Sequence, residues 1–211
     1  MKSESAIQPM KYNLFILSIA VLIFSSCSKE IQKQETNIST KKETETLSSK
    51  YIQYTILKGQ QYADKSIFAP VTCSQLNFKV KFDSSAIYKT VADSNQYDIN
   101  KLFGFSDNNS DHHSFSARFG WRWSNNALRI FAYDYNSSLM SFKELGTVQI
   151  GVENSCSIKV SGNEYIFSLN GAETKMPRAS TTALAEGYKL FPYFGGNESA
   201  PHTISIWIEE L

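Results

Sequence analysis

The chain has almost no net charge. Its 211 residues carry 21 Lys and Arg against 20 Asp and Glu, a formal +1. Nucleic-acid binding driven by bulk charge is therefore not expected, and any basic patch has to be local. There are 3 cysteines and no Cys-x-x-Cys, so no dithiol redox motif is present. A Gly-x-Ser-x-Gly elbow and a phosphate-binding loop are also missing, which removes the hydrolase and nucleotide-binding readings those motifs carry. No segment recurs at a fixed period, and none shows a long amphipathic helical stripe.

Aromatic residues are plentiful, with 11 Tyr, 14 Phe and 3 Trp. That supply fits pleated, half-buried strands and sugar-binding surfaces alike. From Tyr51 onward the hydrophobic period is two. It marks strands at Tyr51–Leu57, Leu76–Phe82, Phe115–Trp123, Leu128–Tyr135, Thr147–Val152, Ser157–Val160, Tyr165–Leu169, Leu190–Phe194 and Thr203–Ile208. Turn signals separate them at Ser124-Asn125-Asn126, Ser161-Gly162-Asn163, Asn170-Gly171 and Gly195-Gly196-Asn197. Many short strands over 51–211 imply an all-β domain, a two-sheet antiparallel β-sandwich of jelly-roll kind.

Residues 1–50 read differently. Lys11 precedes a stretch, Leu14 to Phe24, that is apolar apart from Ser18 and too short to cross a bilayer. Residues 1–26 are thus expected to be a secretory signal, with Met10 as the alternative start. Ser25-Ser26-Cys27 at its end resembles the lipobox of bacterial lipoproteins. That resemblance implies cleavage before Cys27, lipidation of its thiol and a lipid-anchored place in the bacterial cell envelope, at the outer membrane. Ser28 to Lys50 has no aromatic residue and many Lys, Glu, Thr and Ser, a tether that cannot bury enough apolar surface to fold. As a flexible coil it reaches about 25–30 Å. Export puts Cys73 and Cys156 in an oxidising compartment, where they either pair as a disulfide or remain buried thiols.

The segment Ser114–Tyr135 reads as a hairpin. Alternation puts Phe115, Ala117, Phe119, Trp121 and Trp123 on a core face, and Ser116, Arg118, Gly120 and Arg122 opposite. A two-residue turn at Asn125-Asn126 sets the register independently, because asparagine tolerates positive φ. It pairs Arg122 with Arg129, Gly120 with Phe131, Arg118 with Tyr133 and Ser116 with Tyr135. Like charges directly opposite destabilise a sheet. Either neighbouring carboxylates or water relieve Arg122 and Arg129, or the face is a groove for an anionic ligand. Arginine suits the second role because its planar fork bonds both oxygens of a carboxylate. Gly120 leaves room there for a ligand or marks a bulge.

Four short stretches carry a family resemblance: Lys101-Leu102-Phe103-Gly104-Phe105, Ser116-Ala117-Arg118, Gly120-Trp121-Arg122 and Phe131-Ala132-Tyr133. In this order they resemble polysaccharide lyase family 14 and its concanavalin A-like relatives. The resemblance implies a concanavalin A-like jelly roll that acts on acidic polysaccharide. It marks Lys101, Ser116, Arg118 and Tyr133 as groove residues and matches a loop histidine to His112 or His113. Arg118 and Lys101 would neutralise a sugar carboxylate, and Tyr133 with either histidine would move protons. Arg122, Arg129, Phe131 and Tyr135 would line the substrate. No metal or other cofactor is required by that chemistry. Phe131 departs from the family pattern, which has a tyrosine there. A non-catalytic glycan-binding module and a structural envelope protein therefore stand beside the lyase. The loop Asp107, Asn108, Asn109, Asp111 has no Glu at calcium-loop spacing and is expected to be a plain turn. His202 is expected to cap a strand.

Overall fold

The computed structural model describes residues 50–211. The expected signal segment, Cys27 and all of the expected tether except Lys50 lie outside the described residues. From Lys50 on, twelve strands form two antiparallel sheets of six. The first sheet runs β1 (Ile52–Ile56), β12 (Ile204–Glu210), β3 (Gln75–Phe82), β8 (Asn154–Ser161), β9 (Glu164–Leu169), β10 (Ala172–Pro177). The second runs β2 (Pro70–Cys73), β11 (Ala185–Leu190), β4 (Asn100–Ser106), β5 (Phe115–Ser124), β6 (Ala127–Asn136), β7 (Leu139–Val148). The only helical pieces among the described residues are short 3-10 turns at Ser84–Ala86 and Asp93–Tyr97. The architecture is the expected jelly-roll β-sandwich.

Alternation builds the core. In β3, Leu76, Phe78, Val80 and Phe82 are buried while Gln75, Asn77, Lys79 and Lys81 are not. Phe78 meets Phe103 of β4 at 5.2 Å and Phe119 of β5 at 5.4 Å, both edge-to-face, and so joins the two sheets. Each such ring taken out of water stabilises the fold by about 1.5–3 kcal/mol. Trp121, Phe105 and Phe167 are also fully buried in this layer.

The β5–β6 hairpin has the register read from the sequence, including Arg122 opposite Arg129 and Arg118 opposite Tyr133. Asn125 and Asn126 adopt φ of 52° and 55°, the twist a two-residue hairpin turn needs. Ser137 and Ser138 do the same at 50° and 65° and connect β6 to β7. A serine pair gave no turn signal, so the expected strand Thr147–Val152 catches only the end of β7. Gly120 is tight rather than roomy, because a side chain there would run into Ile99. It therefore makes space for the protein's own core, not for a ligand.

Cys73 and Cys156 are both free, which corrects the disulfide alternative. Cys73 in β2 faces Ala185 within the second sheet, whereas Cys156 in β8 lies between Phe78 and Leu169 in the first. Burial pushes both thiols above their ordinary pKa, which slows oxidation. Dithiothreitol should leave the melting temperature of the domain unchanged. A drop of several degrees on reduction would show a cross-link after all.

Candidate functional site

The outer face of the second sheet carries a second buried cluster, Ile99, Phe131 and Tyr133 with Tyr135 packed beside it. Above part of this layer lies a groove of about 500 Å³. Its floor comes from β4, β5, β6 and β11, and its walls from the loops around 62–68, 112–113 and 191–196.

Arg118 stands on that floor at the middle of β5. It is 7% exposed and among the described residues has no carboxylate partner. Its Nη2 donates to the Phe191 carbonyl at 2.7 Å, while its Nε is buried with no partner at all. Burial draws the guanidinium down to about 9, so it is still charged at neutral pH. A buried cation lacking a counter-charge is costly, and it becomes favourable once an anion enters.

Lys101 of β4 lies next to it. Its Nζ donates to the carbonyls of Ile99 at 2.8 Å and Gly195 at 3.3 Å and sits 5.0 Å from the centre of the Tyr133 ring. Burial, helped by the positive charge of Arg118, lowers its pKa to about 8. Tyr133 faces Arg118 across the β5–β6 ladder. Burial and then a hydrogen bond with Tyr135 raise its hydroxyl well above the usual phenol value.

His112 enters from the β4–β5 loop. Its Nδ1 is 3.0 Å from the Tyr188 hydroxyl, which also accepts from its backbone N–H at 3.2 Å. Ser116 donates to the His112 carbonyl at 2.7 Å and so ties this loop to β5. Burial, then the neighbouring His113, hold the imidazole below its ordinary pKa. His113 packs its ring 4.1 Å from that of His112 and 5.4 Å from Tyr135. With Asp111 the two histidines offer three ligand atoms within 4.8 Å of one another, a set a divalent ion would fit. The sequence reading expected no metal.

The structure thus brings Lys101, His112, His113, Ser116, Arg118, Tyr133 and Tyr135 into one groove. It leaves Arg122, Arg129 and Phe131 outside. They share the same face but lie further along the hairpin toward its turn. Arg129 pairs with Glu144 at 2.7 Å. Arg122 stacks over Phe131 at 4.7 Å and donates to the Tyr97 carbonyl at 2.8 Å. Phe131 is 1% exposed beneath it. The facing arginines are therefore relieved by a carboxylate and by aromatic rings, not by a ligand. Tyr62, Phe68, Tyr188, Phe191 and Tyr193 line the groove without having been singled out in the sequence. Tyr188, Phe191 and Tyr193 belong to an aromatic-rich run whose strand ends at Leu190, and the chain beyond it lines the groove.

Two other loop assignments are settled by contacts. Asp107 is held by Arg178 in a fully buried ion pair at 2.8 Å, and Asn108 and Asn109 make a positive-φ turn. His202 Nε2 lies 2.8 Å from the Ser85 carbonyl just before β12.

No carboxylate lines the groove among the described residues. Glycoside hydrolysis by paired acids needs two of them. What the groove offers is a buried cation for a carboxylate, a lysine of lowered pKa, a near-neutral imidazole and a phenol. That set can bind an acidic sugar and move its protons.

No protein-family model matches this chain, and no curated protein matches it in sequence. Solved structures do match in fold. Alginate lyase AlyC3 superposes with a TM-score of 0.52 at 8% identity, covering 76% of this chain and 74% of that one. A mixed-linkage glucan GH16 enzyme of Bacteroides ovatus gives 0.51 at 9%, over 76% and 79%. An endo-acting O-glycanase from human gut microbiota, involved in mucin breakdown, gives 0.52 at 10%, over 76% and 77%. The likeness is one of fold, the two-sheet jelly roll.

Proposed function

We propose that the domain binds an acidic polysaccharide in this groove and cleaves it by β-elimination, held at the bacterial envelope by lipid on Cys27. The observation that carries the reading is Arg118, a buried charge with an unpartnered Nε, on the floor of a groove lined by no carboxylate among the described residues. The fold it shares with alginate lyase AlyC3 supports the substrate class.

A uronate carboxylate bidentate on Arg118 has its charge neutralised, which acidifies the proton on the adjacent ring carbon. Neutral His112 takes that proton. The C–O bond to the next sugar then breaks, with Tyr133 or Lys101 donating a proton to the leaving oxygen. The products are a chain with a new reducing end and one with an unsaturated terminal ring.

The groups titrate on opposite sides of neutrality. His112 must be neutral to act as a base, and its pKa lies below the ordinary imidazole value, so kcat/KM rises with pH only on the acid side. Lys101 must be charged to help bind a carboxylate or give a proton, and it loses its charge near 8. We expect a bell-shaped profile whose alkaline limb falls at about 8, and Lys101→Arg should move that limb upward. An alkaline limb unchanged in Lys101→Arg would remove Lys101 from the chemistry.

A second reading, a binding module without catalysis, is favoured by Phe131, which is buried where the lyase pattern has a tyrosine. Incubation with alginate, polyglucuronate and pectate separates the two through the ultraviolet absorbance of the unsaturated product. Binding without any rise in absorbance would sink the lyase and keep the module.

A further inference from the structure

The groove face does not stop at Tyr133 and Tyr135. The ladders continue it sideways across the sheet. Ser116 pairs with Tyr135 and Tyr135 with Met140, while Arg118 pairs with Tyr133 and Tyr133 with Phe142. Side chains directly opposite in a ladder share a face, so Met140 and Phe142 of the edge strand β7 prolong both rows. They are 47% and 51% exposed.

Two large apolar side chains held open on an edge strand are a liability unless something covers them. The charged side chain next along that face is Glu144, already bound to Arg129 at 2.7 Å. Arg129, on the same face, is therefore already paired. Two strand steps separate Phe142 from Arg118, about 9–10 Å at ordinary strand spacing. The ring over Phe142 would therefore be the second beyond the ring whose carboxylate sits on Arg118, a position that a dimer does not reach.

We infer that Met140 and Phe142 form an outer subsite. It receives the apolar C–H face of a sugar ring on the same chain whose carboxylate sits on Arg118. The inference rests on the groove being a glycan site, and it adds a minimum length to the substrate. The occupant is the glycan because the rows run unbroken from the groove to this edge, and because a ring face stacks on an aromatic side chain without needing charge.

The test uses the full chain, alginate-derived uronate dimers and hexamers, and the double variant Met140→Ala/Phe142→Ala. The hexamer should bind the variant about tenfold more weakly, in line with the loss of one aromatic contact, while the dimer binds as before. Phe142→Tyr, which keeps the ring, should retain hexamer affinity. Equal weakening for both lengths, or none for either, overturns the subsite and leaves the groove reading standing. So does a wild-type dimer in solution that the double variant dissolves with glycan binding unaltered, since β7 is then an interface between copies. Wild-type protein that binds neither oligomer overturns the groove reading itself, and the subsite with it.

Discussion

If the groove binds uronate as proposed, Arg118→Met is expected to weaken that binding by about thirtyfold or more and to raise the unfolding temperature. The two effects share a cause. In the ligand-free protein the guanidinium is buried, lacks a carboxylate, and keeps an unpartnered Nε. Desolvating such a charge costs several kcal/mol that no counter-charge returns, so an apolar side chain of similar length fits the same place more cheaply. The lost bond to the Phe191 carbonyl offsets about 1 kcal/mol of that gain. Removing the partner of a bound carboxylate costs about 2–5 kcal/mol, roughly thirtyfold to several thousandfold in affinity. Calorimetric titration with uronate oligomers and a thermal melt check both halves. A variant that melts lower and binds as before would mean Arg118 is structural and the anion sits elsewhere.

The opposite outcome is expected at the other buried arginine. The side chains of Arg178 and Asp107 are 2% and 0% exposed and paired at 2.8 Å. Tyr165 also donates to Asp107, at 2.7 Å, while Arg178 reaches Ser180 and the Leu184 carbonyl at 3.0 Å. Asp107→Ala leaves a buried cation without its anion and should cost about 3–5 kcal/mol in urea unfolding. Replacing both, as Asp107→Leu with Arg178→Met, should recover most of that loss, because an apolar pair carries no desolvation cost. A single variant within about 1 kcal/mol of wild type would show the network to be dispensable. Burial pushes the Asp107 carboxyl up, but the bonds from Arg178, Tyr165 and two backbone N–H groups outweigh it and hold the pKa low. The stabilisation is thus complete at neutral pH and is lost only below the ordinary carboxylate range. The damage from Asp107→Ala should extend to the groove. Asn109, two residues on, is tied to the Glu186 carbonyl of β11 at 2.7 Å, and the same loop carries His112.

Which strands were legible follows from what each one faces. β3, β5 and β6 have a wet or groove-facing side and a core side, and their alternation shows in the residues. β4 has six of its seven residues buried, so Asn100–Ser106 has no polar phase to read. β7 fails the other way, since its first six residues are all exposed and no apolar stripe marks it. β10, Ala172–Pro177, is a polar edge with Met176 alone buried. The strand expected at Leu190–Phe194 was drawn by aromatic residues that line the groove, while β11 itself lies before them.

The site was legible in part for a related reason. Alternation assigns Arg118, Arg122 and Arg129 to one face, but a face is longer than a groove. Position along the strand depends on which loops rise above it, and those loops come from residues 62–68 and 191–196, far away in sequence. For the same reason Tyr62, Tyr188 and Tyr193 carried no local signal.

The first strand pairs with the last, Ile52 opposite Ile208 and Ile56 opposite Ile204. Antiparallel neighbours sit about 5 Å apart, so the folded unit begins and ends at one corner of one sheet. Chain ends that meet in this way permit circular permutation. A linker of a few residues from Leu211 to Tyr51 would close the chain, and new ends opened in the exposed Val91–Ser94 stretch would leave every ladder intact. The same geometry lets the whole sandwich be spliced into a surface loop of another protein, as a self-contained insert entered and left at a single point.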